Sequence, residues 1–285
     1  QRSIHAQGLG GVSANTPIPY AIADLIEAID SQSGQIAQGN FAANYMRVKN
    51  KLAAVARDPR YGFMWSARMA TDTLPAFLAR VLRMDGSGKP ITIVDLSGMP
   101  SDVIGTAVSV MARVVFDFAI WAKGENKPPV LLVCEEAHRY VPSRSIRKEA
   151  PVRDVLERIA KEGRKYGVSL GLVTQRPSDL AEGALSQCGT IVSLRLNNER
   201  DIAFVRAAMP EGGKALLDAV PALRNRECVI SGEGVSVPMR VRIDDLADHL
   251  RPASNDPVFS ELWARCGDED GIITRTIQRW RTEAR

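Results

Sequence analysis

The stretch PVLLVCEEAHRYVP, residues 129–142, decides the fold of this 285-residue chain. Five apolar residues, 130–134, lead directly into Glu135 and Glu136. A short, almost continuous apolar run of this kind is typical of a strand that is buried on both faces. Similar runs recur at 168–175 and 190–196, and helical patterns separate them. The alternation predicts an α/β fold with a largely parallel sheet flanked by helices.

The rest of the chain divides into four parts. Residues 1–16 are polar and glycine-rich and are predicted to be a linker or disordered, whereas residues 17–89 carry three amphipathic helical patterns. Residues 90–249 form the predicted core, which starts with a strand at 90–98 and ends with an antiparallel edge hairpin around a glycine-rich turn. Residues 250–285 are a polar tail that ends in a short basic amphipathic helix.

Composition excludes several classes of protein. The chain is 45% hydrophobic and 25% charged, with a net charge of +4, which is typical of a globular protein. The apolar helix predicted at 101–123 contains Asp102, Arg113 and Asp117, so we interpret it as a helix packed on a sheet and predict no membrane association. The start of the sequence lacks the apolar region of a secretory signal, and the four cysteines are widely spaced. We therefore expect a cytoplasmic protein with reduced thiols and no zinc site.

The two carboxylates at the end of the 130–134 strand have the pattern of a Walker B element. In a parallel sheet, functional groups gather at the carboxyl ends of the strands. We expect Glu135 to orient the shell of a Mg²⁺ ion and Glu136 to act as the base that polarises a water for attack on a γ-phosphate. Consecutive side chains of an extended backbone point in opposite directions, so the two cannot share one task. The alternative is a helix cap or a salt-bridge partner.

Two further residues are candidates for the same chemistry. Gln175 ends the next strand, and its amide lies beside the Glu pair if the two strands are neighbours. The basic segment 158–165 is interpreted mostly as a solvated helix face, but Arg164, with Arg158 as second choice, is a candidate arginine finger that acts on the nucleotide of a neighbouring subunit. Spacing does not separate the further arginines of the following unit, which are Arg195, Arg200 and Arg206.

A phosphate-binding loop is missing from the sequence. The chain contains no G-x-x-x-x-G-K-[ST] pattern. The segment MDGSGKPIT, residues 84–92, resembles the end of such a loop, but Pro90 follows Lys89 and a strand pattern comes next. We interpret this segment as a turn.

Five segments together resemble the bacterial HerA-like ATPases, in the HerA/FtsK branch of P-loop motor proteins. They are GKPITIVDLSGMPSDV (88–103), PVLLVCEEAHRYVP (129–142), RIAKEGRKYGVSLGLVTQRPSDL (158–180), LSQCGTIVSLRLNNERD (185–201) and GEGVSVPMRVRID (232–244). The likeness runs from about Thr16 to Pro252. It implies a RecA-like ATPase core with ATP and Mg²⁺ as cofactors. Carried over by motif, Glu135 matches the metal-binding carboxylate, Glu136 the catalytic base, Gln175 the polar sensor and Arg164 the finger.

The resemblance also implies an assembly and partners. Members of this family are homo-hexameric rings that translocate double-stranded DNA, and they work with a NurA-like nuclease or with a defence effector protein. Their P-loop lies upstream of every segment seen here, so we expect this chain to be the C-terminal part of a longer ATPase and to be inactive alone, with residues 17–89 as a helical insertion. Two alternatives stay open, which are a non-catalytic assembly or scaffold module of the same fold and a conjugation coupling-protein-type ATPase.

Overall fold

The computed structural model describes most of the chain, in two compact units. The described residues are 16, 18, 20–35, 40–58, 61, 73–99, 101–125, 127–143, 150–251, 257–264 and 271–282. The linker predicted at 1–16 lies outside them except for its last residue. The two units are Gln1–Pro100 and Ser101–Arg285.

The first unit is helical where it is described. Its helices are α1 (Ile22–Gln35), α2 (Asn40–Arg57) and α3 (Leu74–Val81). An ion pair between Asp30 and Lys49 joins α1 to α2. The three helical patterns predicted in this region are therefore confirmed.

The strand predicted at 90–98 does not form. Residues 90–96 are irregular, and the side chains of Ile91 and Ile93 are 69% and 87% exposed. A strand is stable only when its backbone pairs with a neighbour, and this segment pairs with no strand in the described part of the chain. The preceding 86–89 segment is a turn, as predicted, since Gly86 and Gly88 have φ values of 75° and 68° and Ser87 N–H donates to Asp85 Oδ1 at 3.1 Å.

The second unit alternates strands and helices. Its elements are α4 (Ser101–Trp121), β1 (Val130–Cys134), α5 (Ala150–Glu162), β2 (Val168–Leu172), α6 (Glu182–Leu185), β3 (Thr190–Ser193), α7 (Glu199–Ala208), α8 (Glu211–Lys214), β4 (Glu227–Gly232), β5 (Met239–Arg242), α9 (Phe259–Trp263) and α10 (Ile272–Thr282). This order confirms the predicted α/β class and the basic C-terminal helix.

The strands are divided between two sheets rather than joined in one. β1 and β2 are parallel, in a register from Val130 opposite Val168 to Cys134 opposite Leu172. β3, β4 and β5 form an antiparallel sheet in that order, and its β4–β5 half is the predicted edge hairpin. The apolar run at 190–196 could not show that β3 pairs antiparallel to β4, because run length does not encode strand direction.

The main core lies between the parallel strands and two helices. Phe116 of α4 and Leu156 of α5 are almost fully buried in one cluster with Cys134 and Val168 of the strands. α4 is long and apolar enough over Val103–Trp121 to cross a membrane by length and composition alone, and the same is true of many core helices. Packing of its buried face into this cluster agrees with the predicted sheet-packed helix. A second cluster joins α7, β4 and the 3₁₀ helix Ala215–Ala222.

Candidate functional site

The ends of β1 and β2 are held side by side beyond the strands themselves. Val173 N–H donates to Cys134 O at 3.0 Å, and Ala137 N–H donates to Val173 O at 2.9 Å. These bonds continue the parallel ladder past the last paired strand residues. The residues that follow β1 and those that follow β2 therefore meet at one edge of the sheet.

The Glu pair occupies a tight turn at this edge. Glu136 has φ 52° and ψ 44°, in the left-handed region that non-glycine residues rarely adopt, and the 3₁₀ helix Ala137–Arg139 follows at once. The extended backbone expected through both glutamates is therefore wrong at Glu136. Ala137 is fully buried and anchors the turn. The chain reverses direction immediately after the carboxylates.

The two glutamates have different surroundings. The Glu135 side chain is exposed and has no hydrogen-bond or ionic partner among the described residues. The Glu136 side chain is 43% exposed and has a partner at each oxygen. Gln175 Nε2 donates to Oε1 at 3.4 Å, and His138 Nδ1 lies 3.5 Å from Oε2. One carboxylate is thus free to take a ligand, whereas the other is oriented by neighbouring side chains.

His138 and Thr174 belong to this site, and the sequence analysis missed both. His138 Nδ1 lies 3.0 Å from Thr174 Oγ1, and Thr174 Oγ1 also accepts the Arg176 N–H at 3.0 Å. The sequence signal that was available is the Ala-His directly after the Glu pair. Its meaning depends on the turn at Glu136, which returns the His138 ring toward the carboxylate.

A polar cavity of about 360 Å³ opens beside the His138 ring. Its lining consists of His138, Pro142, Ser143, Asp179 and Arg200. Ser143 N–H donates to Asp179 O at 2.7 Å, which joins the two sides of the cavity mouth. The sequence does not distinguish Arg200 from Arg195 and Arg206. In the structure Arg200 lines the same cavity as His138, a residue of the site.

Arg164 is not brought to the Glu pair. It is an exposed residue of the 3₁₀ turn Gly163–Tyr166, which precedes β2, while the glutamates follow the parallel strand β1. The two positions are at opposite ends of the sheet. With about 3.3 Å per strand residue, five-residue strands separate them by roughly 15 Å or more.

The other candidate arginines have structural contacts. The Arg158 guanidinium lies 5.2 Å from the centroid of the Phe116 ring and its Nε lies 3.5 Å from Glu162 Oε2. Arg206 donates to Asp218 Oδ1 at 2.6 Å and to Lys214 O at 3.2 Å. These contacts explain both side chains as packing and pairing groups of the helices that carry them.

The turn at Glu136 has buried side chains beside it, whereas Glu135 faces solvent. Burial raises the pKa of the Cys134 thiol to about 11 and is also the main cause of the raised pKa of Tyr140.

In the described residues no group of three or more His, Cys, Asp or Glu is placed to hold a metal ion. A Mg²⁺ ion fits Glu135 only in the way this ion usually binds, with one carboxylate and with phosphates and water as the other ligands.

Comparison with known proteins gives sequence relatives but no family model. No protein-family model matches the chain. It is 43% identical over 147 residues to the DNA double-strand break repair helicase HerA of Pyrococcus furiosus, a match that covers 52% of this chain and 25% of that protein. It is 30% identical over 198 residues to the HerA of Sulfolobus acidocaldarius, which covers 67% of this chain and 38% of that protein. These relatives are archaeal, so the bacterial subgroup named above stays a prediction.

A solved structure shows the same fold. VirB4 of Thermoanaerobacter pseudethanolicus matches with a TM-score of 0.55 over 84% of this chain and 60% of that chain, at 16% identity. At this identity the likeness concerns the fold alone. The chain spans much less than two thirds of the length of the HerA relatives that it matches.

Proposed function

We propose that this chain, a HerA-like protein, supplies the Walker B half of an ATPase core that hydrolyses ATP to move double-stranded DNA. The observation that supports this is the grouping of Glu135, Glu136 and Gln175 at the adjacent carboxyl ends of β1 and β2. A carboxylate pair and an amide at this edge are among the groups that nucleotide hydrolases use.

The two glutamates divide the work in this proposal. Glu135 is exposed and unpaired within the described residues, so it is available to hold a Mg²⁺ ion, which neutralises charge on the phosphates when bound. Glu136 is oriented at both oxygens and accepts a proton from the attacking water. Gln175 orients that water or senses the γ-phosphate without adding charge.

Arg164 acts on a second subunit in this proposal. Its position at the opposite end of the sheet from Glu136 favours a role at the nucleotide of another chain over one at its own. It is exposed and has no ion pair among the described residues, so it is available to a neighbour. We therefore propose a ring, a homo-hexamer as in the family resemblance, in which Arg164 of one copy stabilises the transition-state charge at the next.

The remaining parts of the motor are proposals that rest on the family. The phosphate loop would come from a segment of the full-length protein outside this sequence, and the chain alone would not turn over ATP. The names of the HerA relatives describe DNA double-strand break repair helicases. We propose double-stranded DNA as the substrate and a NurA-like nuclease or a defence effector as the partner.

Glu136→Gln in the full-length protein tests the proposal. The amide keeps the shape of the side chain but cannot accept the proton, so ATP turnover should fall by about 10²- to 10⁴-fold while binding of a fluorescent ATP analogue persists. Glu162→Gln is the matched control, because among the described residues Glu162 forms an ion pair with Arg158 of the same helix and no other. Retained hydrolysis in Glu136→Gln contradicts the assignment. If the wild-type full-length protein binds no ATP analogue, the scaffold alternative is favoured.

A further inference from the structure

We propose that His138 is the positioning residue of the catalytic glutamate, and that it couples the Glu136 carboxylate to the end of β2 through Thr174. This inference rests on the proposed ATPase function and assigns a role to a residue that the proposed catalytic steps do not use. The three side chains form a chain of polar contacts, with Glu136 Oε2 at 3.5 Å and Thr174 Oγ1 at 3.0 Å from the same atom, His138 Nδ1.

The backbone explains why His138 faces Glu136 rather than solvent. The left-handed conformation of Glu136 reverses the direction of the chain. The 3₁₀ helix Ala137–Arg139 that follows brings the His138 imidazole back beside the Glu136 carboxylate. Ala137 is fully buried and donates its N–H to Val173 O, so the turn is fixed to β2. The His138 side chain is only 18% exposed, and its Nδ1 meets oxygen atoms rather than the apolar core.

The position of Thr174 is fixed independently of His138. Its Oγ1 accepts the Arg176 N–H at 3.0 Å, which restricts the rotation of the side chain. The hydroxyl therefore offers His138 a stationary partner at the end of β2, one residue before Gln175. Gln175 Nε2 contacts the other Glu136 oxygen at 3.4 Å. Two consecutive residues that follow β2 thus reach the two oxygens of the carboxylate, Gln175 directly and Thr174 through the imidazole.

This arrangement makes Glu136 respond to movement at the end of β2. A general base must keep its carboxylate within hydrogen-bonding distance of the attacking water. The 3.5 Å between Nδ1 and Oε2 exceeds a strong hydrogen bond and is in the range of catalytic contacts that shorten when substrate binds. A shift of β2 on nucleotide binding would move Thr174 and Gln175 together, and both would reorient Glu136.

Substitutions at His138 and Thr174 in the full-length protein test this role through ATP turnover. In His138→Ala, kcat should fall about 10- to 100-fold, as for other partners that orient a reacting ligand, with the KM for ATP unchanged. His138→Asn places an amide nitrogen at the position of Nδ1 and should recover most of the loss. Thr174→Val should lower kcat similarly, and Thr174→Ser should recover most of that loss. His249→Ala, at an exposed histidine of the 3₁₀ helix Asp248–Leu250, is the matched control and should leave kcat unchanged.

The outcomes separate this inference from the proposed function. If Glu136→Gln retains turnover, the proposed function fails. If Glu136→Gln is inactive while His138→Ala keeps the wild-type kcat, the positioning role alone is overturned. An equal loss in His138→Asn and His138→Ala also overturns it. Should the alanine variant not fold, ¹⁵N NMR of the wild-type imidazole decides the matter, since the Nδ1 resonance must move in Thr174→Val and stay in place if the contact is absent.

Discussion

Gly163→Ala should destabilise the protein, because the chain passes too close to itself at this residue for a side chain. Gly163 follows α5 and opens the 3₁₀ turn that presents Arg164 and leads into β2. A Cβ atom at Gly163 would lie 2.4 Å from Val168 O and 3.3 Å from Ile159 Cγ2. The first contact is with backbone at the start of β2, which cannot rotate away as a flexible side chain would. The turn or the strand must therefore shift.

The expected magnitude follows from two opposing effects. Overpacking of a close contact costs about 1–3 kcal/mol. Replacement of glycine by alanine recovers roughly 0.5–1 kcal/mol because the unfolded chain loses conformational freedom. A contact of 2.4 Å with backbone lies in the upper part of the overpacking range, about 2–3 kcal/mol, so the net loss in the free energy of unfolding should be about 1–2.5 kcal/mol. This corresponds to a fall in Tm of roughly 2–10 °C for a unit of this size.

Gly105→Ala is the matched control for this prediction. Gly105 lies inside α4, and a Cβ there would have no atom within 4 Å. The same substitution should stabilise the helix by about 0.5–1 kcal/mol. Urea unfolding followed by far-ultraviolet circular dichroism measures both variants, with the slope against urea unchanged. A Gly163→Ala variant as stable as the wild type, or one that shifts in the same direction as Gly105→Ala, would refute the close approach.

Three further predictions concern assembly, packing and pH. Arg164→Ala should lower ATP turnover in the assembled full-length protein, and mixing with Glu136→Gln subunits should restore part of it, whereas no recovery would argue against action between subunits. Ser231→Ala should raise the free energy of unfolding by up to about 1 kcal/mol, because Ser231 Oγ is buried without a hydrogen-bond partner among the described residues. A variant that is less stable than the wild type would show that the hydroxyl is paired. Burial raises the pKa of the Cys134 thiol from 9.0 to about 11, so this thiol should resist iodoacetamide at pH 8 in the native chain. The thiol ionises more readily in the unfolded chain, so its contribution to the free energy of unfolding should be lost as the pH rises from 9 through 11. Rapid alkylation at pH 8, seen by peptide mass spectrometry, would contradict its burial.

The sequence predicts the elements whose patterns are local. β1 and β2 were predicted from apolar runs, and both are buried on the face that α4 and α5 cover. The run at 90–98 has the same composition but forms no strand, because a strand also depends on a partner that composition cannot reveal. Strand direction is equally non-local, so β3 was not predicted to pair antiparallel to β4.

The residues of the candidate site also differ in whether the sequence predicts their positions. The proximity of Gln175 to the Glu pair follows from topology, since the carboxyl ends of neighbouring parallel strands meet at one edge. The roles of His138 and Thr174 do not follow from topology, because they depend on one left-handed residue, Glu136. Non-glycine residues in this conformation are rare and are found where the surrounding structure holds them, often at functional sites. Here the bond from Ala137 N–H to Val173 O supplies that constraint.

We propose one explanation for the exposed apolar face of the parallel strands and for the phosphate-loop pattern that this sequence lacks. Leu131 and Val133 of β1 are 63% and 50% exposed on the face opposite α4 and α5. Strands that are apolar on both faces occur in parallel sheets with helices on both sides. In such sheets a helix that covers a face follows a strand through a loop at the carboxyl edge, which is the edge that holds Glu135 and Glu136. A single strand–loop–helix unit of the full-length protein would therefore bury Leu131 and Val133 and also place its phosphate-binding loop beside the Glu pair. Folding stability and nucleotide binding would then depend on the same contact.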